Sequence, residues 1–201
     1  MINMTVFISG SRNGLVFGKL PKPVTEKIDD MMTKGYKILV GDANGVDKAV
    51  QNYLSEHNYH KTIIYYSGTQ PINRASMDWP TKRVEVSPGL SEREMHTVKD
   101  IEMTNDCDGG FMVWSCTYLN RFGKKSVSKG TLSNMIRVLG QNKPAIVYSI
   151  NDEKFYYLHN IEELSNNLIP LTDDLTQRTY KKLLADSKKD IIPPLLADID
   201  N

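Results

Sequence analysis

The sequence predicts an α/β fold: a parallel sheet with helices on both faces, followed by a short α-rich C-terminal appendage. Three observations predict it. Short β-rich runs at 5–9, 36–40 and 62–66 alternate with amphipathic helical stretches, and β-α-β-α-β order implies right-handed crossovers between parallel strands. The strand runs are largely apolar rather than alternating, as strands covered on both faces require. Loops of small residues, 10–14 and 41–45, then end the first two strands.

Each element has a local cause. Residues 5–9 (TVFIS) form the first strand. Val24, Ile28, Met31 and Met32 recur at i, i+4, i+7 and i+8, one helical face, and Gly35 stands where a C′ glycine stops that helix. Residues 36–40 form the second strand, and Val46, Ala49, Val50, Tyr53 and Leu54 repeat the helical face before the third strand, 62–66. Residues 67–90, with Pro71, Pro80 and Pro88, show no periodicity and predict a functional or mobile loop. Ser91 and Glu94 make a capping box that opens a helix to about Asn105. A fourth strand (111–114), a polar loop (115–130), a helix marked by Leu132, Met135, Ile136 and Leu139, and a fifth strand (145–148) follow. Residues 1–150 are therefore expected as one domain. In the appendage, 151–201, an edge strand is expected at 155–158 and helices at 161–167 and 173–186. Pro193-Pro194 prevents 191–201 from forming one helix.

The chain has 201 residues, enough to bury a sizeable core without disulfides. Its 25 Lys+Arg against 24 Asp+Glu leave a net charge of +1, which excludes a globally basic, DNA-coating protein. On that ground nucleic acid is not expected as a partner. No run of about 18 apolar residues spans a membrane, and the start lacks a basic n-region, so a cytoplasmic location without membrane contact is expected. There Cys107 and Cys116 stay reduced. Cys107 stands between Asp106 and Asp108 and makes a poor nucleophile. His57, His60, His96 and His159 have no metal-ligand spacing, so neither a metal nor a cofactor is expected.

Chemistry points to three loops: Gly10-Ser11-Arg12, the loop from Gly41 and Asp42 to Gly45, and Ser128-Lys129-Gly130-Thr131. Glycine lets backbone approach phosphate closely, and free N–H groups at a following helix start donate to the anion. Arg12 adds a bidentate donor. There is no G-x-x-x-x-G-K followed by Ser or Thr, and the spacing is not G-x-G-x-x-G, so neither common nucleotide fingerprint is present. Asp42 and Asp47 either recognise ribose hydroxyls or favour the start of the following helix. Trp114 and Tyr118 either stack on a base or pack in the core, and Trp79, in the irregular loop, is a candidate lid contact. Arg121, Lys124, Lys125, Lys129 and Arg137 form a local basic cluster.

The pieces FISGSR, ILVGDANGVDKAV, IIYY, DIEMTNDCDGGFMVW, SKGTLSNMI and KPAIVY, in this order over about 4–150, resemble the SLOG superfamily of Rossmann-like domains, which includes DprA, YspA-like and LOG types. The resemblance implies a nucleotide pocket formed by these loops, and a homo-oligomer, since such domains often pair. The LOG motif P-G-G-x-G-T-x-x-E corresponds to 127–134. Gly130 and Thr131 match, but Asn134 stands in place of the glutamate, and Lys99 in place of an arginine. An amide carries no charge and is a poor nucleophile, so these departures favour binding over hydrolysis. The expected function is binding of a nucleotide or nucleotide-derived small molecule, as a sensor or sequestering protein. Its ligand would meet Gly10, Ser11, Arg12, Gly41, Asp42, Gly45, Asp47, Lys99, Trp114, Ser128, Gly130, Thr131 and Asn134. One alternative is an N-glycosidase acting on nucleoside monophosphates, with Asp100 or Glu102 as the carboxylate. A second is single-stranded DNA binding of the DprA type.

Overall fold

The computed structural model describes residues 4–189. The chain runs β1 (Thr5–Gly10), α1 (Lys22–Thr33), β2 (Lys37–Gly41), α2 (Val46–Glu56), β3 (Thr62–Tyr66), β4 (Thr81–Arg83), α3 (Glu92–Asp106), β5 (Gly109–Trp114), β6 (Thr117–Leu119), β7 (Lys125–Val127), α4 (Lys129–Gly140), β8 (Ala145–Ser149) and β9 (Lys154–Leu158). A helical turn α5 (Ile161–Glu163) continues through a π turn (Leu164–Leu168) and a 3-10 turn (Ile169–Leu171), and α6 (Asp174–Lys189) follows.

Seven strands form the main sheet in the order β4-β3-β2-β1-β5-β8-β9. All are parallel except β9, which pairs antiparallel with β8. Successive side chains point to opposite faces, and the two cores follow that alternation. Val6, Ile8, Ile38, Val40, Phe111 and Val113 face Val24, Ile28 and Met31 of α1 and Val50 and Leu54 of α2. Phe7, Leu39, Met112 and Trp114 face Met103 of α3, Leu132, Met135 and Leu139 of α4, and Tyr180 of α6. Helices thus cover both faces, a Rossmann-like arrangement.

Strand order reverses between β1 and β5. In open α/β sheets the crevice at the carboxyl ends of such strands is where ligands bind. Two glycines permit the close packing there. A Cβ on Gly10 would come 2.5 Å from Val46, and one on Gly45, whose φ is +86°, would come 2.5 Å from the Arg12 backbone. The loops after β1 and β2 are therefore pressed together at this edge.

The structure departs from the sequence reading in three places. The irregular 67–90 segment adds β4 to the sheet edge, and Trp79 is no lid contact. It is 2% exposed in the core, and its indole N–H donates to Tyr59 O at 2.8 Å. Gln51 anchors this segment, donating to Gly41 O (2.8 Å) and Asn73 O (3.2 Å) and accepting from Ala75 N (3.0 Å). Gln51→Ala would strand these buried groups, and an expected loss of about 2 kcal/mol in urea unfolding checks it. Residues 115–130 are no simple loop, because β6 and β7 form an antiparallel hairpin. The 150/151 boundary falls in the turn between β8 and β9, and α6 packs on α4 and β7. The proline-containing segment 191–201 lies outside the described residues.

Candidate functional site

A cleft of about 700 Å³ opens at the carboxyl end of β1, between α3, α4 and the β6–β7 hairpin. The first and third loops meet in it: Gly10, Ser11 and Arg12 on one side, and Ser128, Lys129, Gly130 and Thr131 on the other. The second loop reaches it through Ala43, and Asp47 of α2 also lines it. Gly41 and Asp42 sit behind this lining, and Gly45 supports the Arg12 backbone.

The α4 end of the cleft is suited to an anion. Ser128 is the N-cap but makes no side-chain cap bond, and the first turn carries no acidic residue. The first N–H groups of a helix have no intrahelical partner, and its dipole places partial positive charge there. A Cβ on Gly130 would meet nothing within 4 Å, so its backbone borders open space. Arg12, Arg93 and Lys129 are exposed at the rim and make no ion pair among the described residues. Lys125 instead pairs with Asp173 at 3.6 Å, and Arg137 donates to Asn134 Oδ1 at 3.0 Å.

The floor is a buried charge cluster. Lys99, 1% exposed, reaches Asp42 Oδ1 at 3.1 Å and Asp100 Oδ1 at 3.8 Å. A Cβ on Gly41 would lie 2.5 Å from Asp47 Oδ2 and 2.7 Å from Lys99 Nζ, so both charged ends crowd this glycine, and Asp47 acts on Lys99 by its charge without an ion-pair contact. Burial pulls the Lys99 ammonium down, but Asp100, Asp47 and Asp42 together outweigh it and hold it above its ordinary value. Desolvation pushes the Asp47 carboxyl up to about 7. Lys99 opposes this, while the charges of Asp100 and Asp42 reinforce it.

Several candidates have structural duties here. Asp42 does not cap α2, whose N-cap is Gly45, and its second oxygen accepts from Ile72 N at 3.0 Å. Ser11 staples the β1 and β5 loops, donating to Ser115 O and accepting from Ser115 N. Asn134 is 1% exposed and donates to both Ser9 Oγ and Asp100 Oδ2 at 3.0 Å. Trp114 is fully buried, away from the cleft. Of the two carboxylates, Asp100 lines the cleft. Glu102 does not, and pairs with Lys82 at 2.8 Å on another face of α3.

The sequence reading missed Arg93 at the rim and two further contributors. His96 lines the cleft with its Nδ1 buried and without a hydrogen-bond partner. Burial first, then the charges of Lys99 and Arg12, lower its pKa, so the ring is neutral at pH 7. Leu175, Thr179 and Leu183 of α6 close the cleft from the C-terminal segment. Apolar spacing on α6 signalled a packed helix but not its neighbour.

No family model and no curated protein matches the chain. Among solved structures, DNA processing protein A from Helicobacter pylori, described for its single-stranded DNA binding mode, is similar to it. The TM-score is 0.53 at 16% identity, covering 91% of this chain and 81% of that one. This corrects the expectation that nucleic acid is not a partner. Net charge averages over the whole chain, whereas binding depends on local cations, and a protein of similar fold binds single-stranded DNA. No helix among the described residues is long and apolar enough to cross a membrane. At this identity the likeness establishes fold: the chain is a Rossmann-like α/β protein built like DNA processing protein A.

Proposed function

We propose that the cleft binds a nucleotide unit through its phosphate, and that single-stranded nucleic acid supplies that unit. The observation that carries this reading is the uncapped start of α4 facing a cleft rimmed by Arg12, Arg93 and Lys129. Backbone N–H groups and unpaired cations together are what a phosphodiester requires. The likeness to a protein with a single-stranded DNA binding mode supports it. The test is fluorescence anisotropy with a labelled oligothymidylate across salt concentrations. Arg12→Ala is expected to weaken binding about tenfold and to lower the salt slope by about 0.7, the loss of one phosphate contact on a single strand. No binding by the wild type at low salt rejects the reading.

A free nucleotide is the second reading. The cleft volume of about 700 Å³ favours it, since small-molecule sites run from about 300 to 1,000 Å³. Calorimetric titration with mononucleotides that compete with the strand separates the two.

A further inference from the structure

The β6–β7 hairpin stands beside the cleft and ends in a tip that holds an aromatic ring out to water. Asn120 organises that tip. Its Oδ1 accepts from Phe122 N at 2.9 Å and from Lys124 N at 3.1 Å, and its Nδ2 donates to Ser126 Oγ at 3.2 Å. Backbone bonds join Asn120 N to Lys124 O and Gly123 N to Asn120 O, both at 2.9 Å. Gly123 supplies the left-handed φ of +70° that the turn needs. Five hydrogen bonds therefore fix a tip on which Phe122 and Leu119 are each 71% exposed. The Arg121 guanidinium lies 4.7 Å from the Phe122 ring centroid.

Single exposed apolar residues need no explanation. Here, however, a fixed ring with a cation on it adjoins an anion site. Tyr118 and Lys125, on the two strands of the same hairpin, already line the cleft. Four residues separate Tyr118 from Phe122, at most about 14 Å of chain. That span is the reach of about four nucleotides at a rise of roughly 3.4 Å each. We propose that the hairpin tip is a second subsite, in which Phe122 stacks on a base of the single strand whose phosphate occupies the cleft, with Arg121 on the adjoining backbone. This rests on the strand-binding reading above and extends it from one nucleotide to several. Every base has a π-face, so the subsite tolerates sequence, and a duplex, with its bases already stacked, fits it poorly.

The experiment compares three ligands by anisotropy and competition: thymidine monophosphate, an oligothymidylate of about ten nucleotides, and the same strand in duplex. Phe122→Ala is expected to weaken the long strand about tenfold and to leave the mononucleotide unchanged, while Phe122→Trp restores the strand. Arg12→Ala weakens both ligands. The exposed ring contributes little to the fold, so an unchanged melting temperature for Phe122→Ala is expected. Wild-type affinity for the strand in Phe122→Ala overturns the subsite and leaves the cleft reading standing. Failure of the wild type to bind any strand overturns both. Phe122-dependent binding to anionic phosphatidylserine vesicles without a strand effect also overturns the subsite, since the tip would then serve a membrane surface.

Discussion

Lys99→Met is expected to destabilise the protein by about 3–5 kcal/mol, the range seen when one partner of a buried ion pair is removed. For a chain of this size that lowers the melting temperature by roughly 6–20 °C. Methionine replaces much of the Lys99 stem but removes the one cation among Asp42, Asp47 and Asp100. Asp42 is 2% exposed and would be left as a buried charge beside two others. The deficit depends on pH with a definite sign. Without Lys99 the Asp47 carboxyl, already raised by burial, loses the cation that opposes the rise. Its penalty is absent below the unfolded value and complete above the folded one, so the deficit shrinks on acidification. Adding Asp42→Asn to Lys99→Met recovers part of the loss, because an amide oxygen still accepts from Ile72 N without carrying charge. A deficit independent of pH would mean that packing, and not the cluster, sets the cost.

Much of the frame was legible because it is written locally. The apolar run 62–66, the Ser91–Glu94 box and Gly35 at the end of α1 each determine their structure within a few residues. What escaped is decided at a distance. β4 is Thr-Lys-Arg, and β6 and β7 are three residues each with little apolar content. They are strands because a neighbouring backbone pairs with them. Trp79 lies in a proline-punctuated stretch and is buried only because the segment folds back onto the core, where Tyr59 accepts its N–H.

The site divides the same way. Topology places the strand-to-helix loops on one edge, so Arg12 and the 128–131 turn could be anticipated together. His96 and the α6 residues could not, since their approach is set by helix packing. Asp100 and Glu102 are two residues apart, about 200° around a helix, so no single cleft receives both. Only packing chooses between them, and it turns Asp100 inward. Lys99 and Asp42 carry a further lesson. These two residues, expected to meet ligand, are paired with each other in the floor, where their charges act on whatever lies above.

On the proposed function, that floor makes strand binding depend on pH. The Asp47 carboxyl titrates near 7 instead of its ordinary 3.8. A carboxyl whose folded pKa is raised binds more protons folded than unfolded, so stability falls as pH rises from about 4 to 7 and then levels off. Asp47→Asn removes that penalty. It is expected to match the wild type near pH 4 and to exceed it by roughly 3 kcal/mol above pH 7, at about 1.4 kcal/mol per pKa unit with some loss from the altered contact to Ala43. Urea unfolding at several pH values measures it. A phosphate in the cleft adds negative charge and further disfavours the Asp47 carboxylate, so binding takes up a proton. The wild type should then lose strand affinity as pH rises through 7, while Asp47→Asn stays flat. A phosphodiester strand is the right probe, because the second ionisation of a terminal phosphate falls near pH 6 and would confuse the reading. The other groups facing Asp47 do not mimic this effect. Lys99 is held above its ordinary value, and burial holds His96 below 6.5, so neither changes charge as pH rises through 7. If Asp47→Asn shows the wild-type pH profile, Asp47 is charged throughout and the net charge of the floor must be redrawn.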